Sequence, residues 1–189
     1  MVTPIFEASE RGRVTPVPRA DTECLRYRLD VVATRAVDVV QSAGGWLYDR
    51  VMAGWEVTVL LPQPCDTRPL RILGVRVSDL RTALDATDAA SRGLAVSAEA
   101  FTADLRVRER VLKSLDNRLT EVAVWGEAWP LGPLRAMTRA QHVLSLAART
   151  FKGYALGAAG IDCVAVDPTE TLLCDADFPV ASQLVRLVR

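Results

Sequence analysis

Apolar positions along the chain change their period several times, and each period predicts an element. From Leu25 through Leu29, Val32, Ala36, Val40, Ala43, Leu47 and Val51 they recur at steps of three and four, the spacing that lines one face of an α-helix. A long N-terminal amphipathic helix is therefore expected from Asp21 to about Val51, with Gly54 suited to its C-cap. Gly44 and Gly45 fall inside that run without disturbing its phase. A glycine loop that cradles phosphate needs a strand before it and a fresh helix N-terminus after it. Here the preceding "DVVATRAVDVVQ" has helical period, and neither GxGxxG nor GxxxxGK[ST] occurs. The pair thus reads as a kink or a close approach between helices, at a cost of about 1 kcal/mol of helix propensity per glycine.

Beyond the glycines, "WEVTVLL" is a nearly continuous apolar strand, as when both faces of a sheet are covered. "PQPCDTRP" reads as a loop and "LRILGVRV" as a second strand. "SDLRTALDATDAAS" reads as a helix capped by Ser78, and "GLAVSAEAF" as a third strand. "TADLRVRERVLKSLDN" is a helix with Leu105, Val111, Leu112 and Leu115 inward, and "TEVAVWG" a fourth strand. "EAWPLGP" breaks the chain before a long helix from about Leu134 to Leu156. Such alternation predicts one α/β domain over residues 21–189, its mostly parallel sheet of four to six strands covered by helices. At the end, "IDCVAVDPTETLLCD" reads as a C-terminal hairpin turning at Pro168-Thr169, which sets Cys163 opposite Cys174. "PVASQLVRLVR" reads as a short helix or an edge strand. Residues 1–20, with Pro4, Pro16 and Pro18, read as a flexible tail. The helix–strand order before "LRILGVRVSDL" is similar to the core of RecA-like and other P-loop folds. The phosphate loop of those folds is absent, so no residue carries over.

Charge narrows the classes of function. The 23 basic and 23 acidic residues cancel, so no global field draws the chain to nucleic acid or an anionic membrane. No apolar run approaches the roughly 20 residues of a spanning helix, and the first residues lack a secretory pattern. The chain reads as cytoplasmic. Lys113 and Lys152 are the only lysines, an arginine bias typical of a GC-rich bacterial coding sequence. Cys24, Cys65, Cys163 and Cys174 show no CxxC spacing and read as structural thiols. His142 is the only histidine, which excludes a multi-histidine metal site, and no GxSxG elbow occurs.

Three features carry candidate chemistry. No acidic residue occurs from Ala128 to Ile161, where Arg135, Arg139, His142, Arg149 and Lys152 stand, the first four on one side of the expected helix. Asp162, Asp167, Glu170, Asp175 and Asp177 follow at once. The basic residues suit an anion, either a phosphorylated small molecule or a partner's acidic face, unless the acidic segment folds back on them. In "TLLCDADF" the pair Asp175 and Asp177 can hold Mg or Mn against a diphosphate. This stretch of about eight residues resembles the Asp-x-Asp of nucleotide-sugar glycosyltransferases; as a turn it is simply solvated. Finally, "WGEAWPLGP" lies where a strand of an open α/β sheet ends, so Glu127, Trp129 and the Gly126 backbone are candidate pocket residues.

With no convincing catalytic constellation, the sequence reads as a non-catalytic interaction or regulatory module of the bacterial cytosol, with a protein partner and no cofactor. The alternative is a metal-dependent enzyme binding a nucleotide or phosphorylated ligand, with Asp175 and Asp177 on the ion and Arg149 or Lys152 on phosphate.

Overall fold

The computed structural model describes residues 27–62, 65–85, 91–117, 120–126, 137–175 and 184–186. It is one α/β domain built on a mixed sheet of eight strands in the order β3-β2-β1-β4-β5-β7-β6-β8. In chain order the elements are β1 (Arg28–Val32), α1 (Ala36–Met52), β2 (Glu56–Leu61), α2 (Arg68–Ile72), β3 (Arg76–Asp79), α3 (Leu80–Asp85) and β4 (Gly93–Ser97). There follow α4 (Ala98–Ala103), α5 (Leu105–Asp116), β5 (Glu121–Trp125), β6 (Met137–Val143), α6 (Leu146–Ala158), β7 (Thr169–Asp175) and β8 (Val185–Arg186). Strands β1 to β5 are mutually parallel, while β7, β6 and β8 run antiparallel to their neighbours. The sheet is therefore mixed and wider than the mostly parallel one of four to six strands that the sequence suggests.

Helices cover both faces. Residues of α1, α2 and α6 pack with Leu29, Val31 and Val59 on one side. Residues of α3, α4 and α5 pack with Val32, Leu94 and Val124 on the other. The parallel strands β4 and β5 are buried along their whole length, which explains their continuous apolar sequence.

The long N-terminal helix is corrected over residues 28–35, while residues 21–26 of that expectation lie outside the described residues. Leu29 to Val32 form β1, the strand at the heart of the parallel sheet, and α1 begins only at Ala36. A short strand buried from Leu29 to Val32 carries no period of its own, and its apolar residues happened to fall in phase with the helix that follows. The C-terminal hairpin is corrected too. Residues 161–168 form no strand, and β7 pairs with β6 and β5. Cys174 stands opposite Thr138 and Ala123, while Cys163 is exposed in the preceding loop. The helix expected from Leu134 is strand β6 over residues 137–143, then α6. Part of "LRILGVRV" is the short helix α2, and Leu105 and Leu112 of α5 are exposed. The edge-strand reading near the C-terminus is borne out by β8.

Helix does run on both sides of the glycine pair, as the unbroken period implies. Its reason is packing. A Cβ on Gly45 would lie 2.1 Å from Leu144 Cδ2 and 2.9 Å from Cδ1, so the buried Leu144 side chain would have to move as a whole. A Cβ on Gly44 would meet Leu73 Cδ1 at 3.3 Å and little else closely. Gly45→Ala is expected to destabilise the protein by about 1–3 kcal/mol through overpacking. Gly44→Ala should be near neutral, because about 1 kcal/mol of helix propensity is gained against a small adjustment. Urea unfolding of the two single variants checks this, and equal effects would contradict the packing account.

Candidate functional site

The connections after β1 and β4 leave the sheet on opposite faces: β1 leads into α1, and β4 into α4 and α5. Strands β1 and β4 are neighbours, with β2 and β3 on one flank and β5 on the other. This is a topological switch point, where loops diverge and leave a crevice beyond the carboxyl ends of the strands. A cavity of about 700 Å³ opens there, lined by Arg35, Asp38, Ser97, Glu99, Trp125 and Gly126 among others. Its size suits a small-molecule ligand.

Each lining group has a structural origin. Arg35 ends the β1–α1 connection in extended backbone, and Asp38 lies in the first turn of α1, where a carboxylate faces the positive end of the helix dipole. Asp38 Oδ1 accepts from Ser42 Oγ at 3.2 Å, and Oδ2 accepts from the Trp125 indole Nε1 at 2.9 Å. The Trp125 ring is itself buried at the end of β5. Ser97 caps α4, its Oγ accepting from the Ala100 amide at 3.1 Å. Gly126 closes the strand with φ +111, a backbone that other residues rarely adopt. Arg35 and Glu99 meet across the mouth, Nη2 to Oε2, at 3.5 Å.

The candidates from sequence scatter. Arg135, Glu127, Trp129 and Asp177 lie outside the described residues. Arg139 and His142 are on strand β6; alternation sends them to opposite faces, Arg139 exposed and His142 buried. His142 Nε2 lies 2.8 Å from Asp49 Oδ2, and Asp49 Oδ1 accepts from Ser145 Oγ at 2.6 Å. Arg149 is half-buried on α6. Asp175 is buried at the end of β7, one residue past the Ala123–Cys174 pairing and so toward the amino end of β5. That is roughly 10 Å along the strand from Trp125 at the crevice end. The acidic segment does fold back on the basic helix, through Lys152 and Glu170.

That contact belongs to a buried polar cluster between α1, α6 and β7. Glu170 Oε1 accepts from the Gly45 amide at 2.8 Å and from Lys152 Nζ at 2.5 Å, while Oε2 accepts from the Trp46 amide at 2.7 Å. Lys152 Nζ also donates to the Gln41 carbonyl at 2.7 Å. In a regular helix the Gly45 amide would pair with that carbonyl; here both have gained side-chain partners. Amides at the glycine pair thus do face an anion, and it is the protein's own carboxylate.

A second buried pair, Arg50 Nη2 with Glu121 Oε1 at 3.0 Å, sits at the amino end of β5. Burial pushes the Glu121 carboxyl up and the Arg50 guanidinium down from their ordinary values, each opposed by the other's charge.

No family model matches the sequence, and comparison with curated proteins finds no match. The fold, however, is similar to solved deacetylases. A deacetylase from teicoplanin biosynthesis, in complex with teicoplanin, matches with a TM-score of 0.57 at 12% identity, over 86% of this chain and 100% of its own. The deacetylase of the A40926 pseudoaglycone matches at 0.55 and 13% identity, over 87% of this chain and 99% of its own. A zinc-inhibited form of teicoplanin deacetylase gives 0.55 and 12%, over 85% and 98%. What this likeness shows is the fold, one α/β domain on a mixed sheet. The expectation of a non-catalytic protein-interaction module is corrected by this likeness, because the architectures that match over nearly their whole length are those of enzymes.

Among the described residues no three His, Cys, Asp or Glu side chains converge on a common point. The crevice offers two carboxylates and a serine hydroxyl beside a guanidinium, a set that does not fit tetrahedral zinc. Sequence reasoning pointed to the end of β5, and of its candidates there Gly126 lines the cavity while Glu127 and Trp129 lie outside the described residues; it missed Trp125, Arg35, Asp38, Ser97 and Glu99. The available signal was Arg35 and Asp38 directly after an apolar run, a strand end hidden by the helical period.

Lys152 is expected to behave as a buried ion-pair partner. Lys152→Met should cost about 3–5 kcal/mol, since Glu170 is left buried without its cation. A solvated phosphate-binding lysine would cost less than about 0.5 kcal/mol. Chemical denaturation separates the two.

Proposed function

We propose that the chain is a hydrolase that removes an acyl group from the amine of a small polar molecule seated in the switch-point crevice. The observation that carries this reading is the convergence of Asp38, Ser97, Glu99 and Trp125 in one cavity at the carboxyl ends of β1, β4 and β5. The deacetylase-like fold supports the choice of reaction.

Asp38 is the group suited to activate water. A carboxylate offers about four acceptor sites, and Ser42 and Trp125 use one on each oxygen while fixing the plane of the group. The remaining sites receive the proton as water attacks the acyl carbon. The Ser97 hydroxyl, whose oxygen accepts from the Ala100 amide, keeps its own proton to donate to the oxyanion. Collapse of the tetrahedral intermediate breaks the C–N bond, and Asp38 returns the proton to the leaving amine. The products are a free amine and a carboxylic acid.

Asp38→Asn is expected to lower turnover by about 10²–10⁴-fold, the usual contribution of a general base, without unfolding the protein. Acetate release from a panel of N-acetylated amines and amino acids is the measurement. Absence of release from every substrate, or release unaffected by Asp38→Asn, would refute the reading.

A further inference from the structure

We infer that Arg35 reads a carboxylate on the ligand, so that the crevice takes N-acylated amino acids in preference to neutral acylated amines, with Glu99 as an internal latch that the ligand displaces. The identity of the reaction rests on the hydrolase reading above; the recognition step is separable from it.

The inference starts from how loosely the two groups are held. The side chains of Arg35 and Glu99 are 70% and 55% exposed, and their contact is 3.5 Å through a single nitrogen. An exposed pair of that length holds weakly. Among the described residues Glu99 is the one partner of Arg35, which leaves most of a guanidinium fork unused. That fork matches a carboxylate in bidentate fashion. By contrast Asp38 is fixed by two donors and lies on the inner wall. The cavity therefore has a committed acceptor inside and an uncommitted cation at its mouth.

Charge selects the anion. Among the described residues that line the cavity Arg35 is the only cation, beside Asp38 and Glu99. A phosphate with close to two negative charges would be repelled by both carboxylates once it replaced Glu99. A carboxylate with one charge restores the balance that Glu99 now supplies. The ligand's amide N–H, adjacent to that carboxylate in an N-acyl amino acid, then faces acceptors that need a donor. Glu99 is left beside it, free to meet the ammonium that hydrolysis releases.

The test is calorimetric binding of N-acetylglycine, and of the neutral N-acetylethanolamine, to the wild type, Arg35→Gln, Glu99→Gln and Asp38→Asn. N-acetylglycine should bind more tightly than the neutral probe. Arg35→Gln should weaken it by about tenfold or more, the usual loss for a charge-assisted contact. Glu99→Gln should tighten it by about two- to fivefold by releasing the latch. The neutral probe should respond to neither change. Asp38→Asn should keep Arg35-dependent binding while losing turnover. Binding of N-acetylglycine that is indifferent to Arg35→Gln, preference for the neutral probe, or binding of neither overturns the inference. Arg35-dependent binding without turnover would instead sink hydrolysis and leave carboxylate recognition standing. Turnover of neutral amides untouched by Arg35→Gln would do the reverse.

Discussion

One buried carboxylate organises this fold. Glu170, on β7, reaches the amides of Gly45 and Trp46 in the middle of α1 and the ammonium of Lys152 on α6. A buried charge must be met by compensating donors, and here they come from two helices at once. The contact therefore fixes α1 and α6 against the antiparallel half of the sheet. Leu144 completes the arrangement by packing where Gly45 has no side chain. The consequence for the site is geometric. Asp38 is two turns earlier on α1, and its partner Trp125 is on β5, the strand beside β7. Holding α1 to β7 holds Asp38 to Trp125.

The two ends of the sheet divide the work. At the amino end of β5, Arg50 and Glu121 are buried together, and the Arg50 guanidinium lies over the rings of Trp46 and Trp55 at 5.2 and 4.2 Å. The charged groups there are buried and paired with each other. At the carboxyl end, the ion pair of Arg35 and Glu99 is exposed and weakly held, and Asp38 retains acceptor capacity. Groups with unused hydrogen-bonding capacity beside a cavity are the ones available to a ligand. That contrast, more than the residue types, sets the crevice apart.

Much of this was legible in the sequence, and the failures share a physical cause. Parallel strands β2, β4 and β5 announced themselves as short apolar runs between helices, and the glycine pair was correctly kept within a helix. Strand β1 was lost because Leu29 and Val32 are in phase with Ala36 and Val40, so one helical stripe seemed to pass through both elements. With β1 lost, the crevice went too, since Arg35 and Asp38 then lay in mid-helix and not beyond a strand. Strand β6 was hidden by Arg139 and His142, whose spacing of three fits a helix face, although the structure sends them to opposite faces of a sheet. The Glu170–Lys152 contact was visible only as two neighbouring segments of opposite charge. Which acid met which base depended on the sheet register, and no local pattern specifies that.

The central claim is that the switch-point crevice is where this protein meets its substrate. Its most direct test uses the indole N–H of Trp125, which points at Asp38 and gives its own resonance in a proton–nitrogen NMR spectrum, assigned by Trp125→Phe. On titration with N-acetylglycine that resonance should shift in a saturable way, while the indole signals of Trp46 and Trp55, at the other end of the sheet, stay in place. A Trp125 signal that does not move at saturating probe, or a response confined to Trp46 and Trp55, would contradict the account.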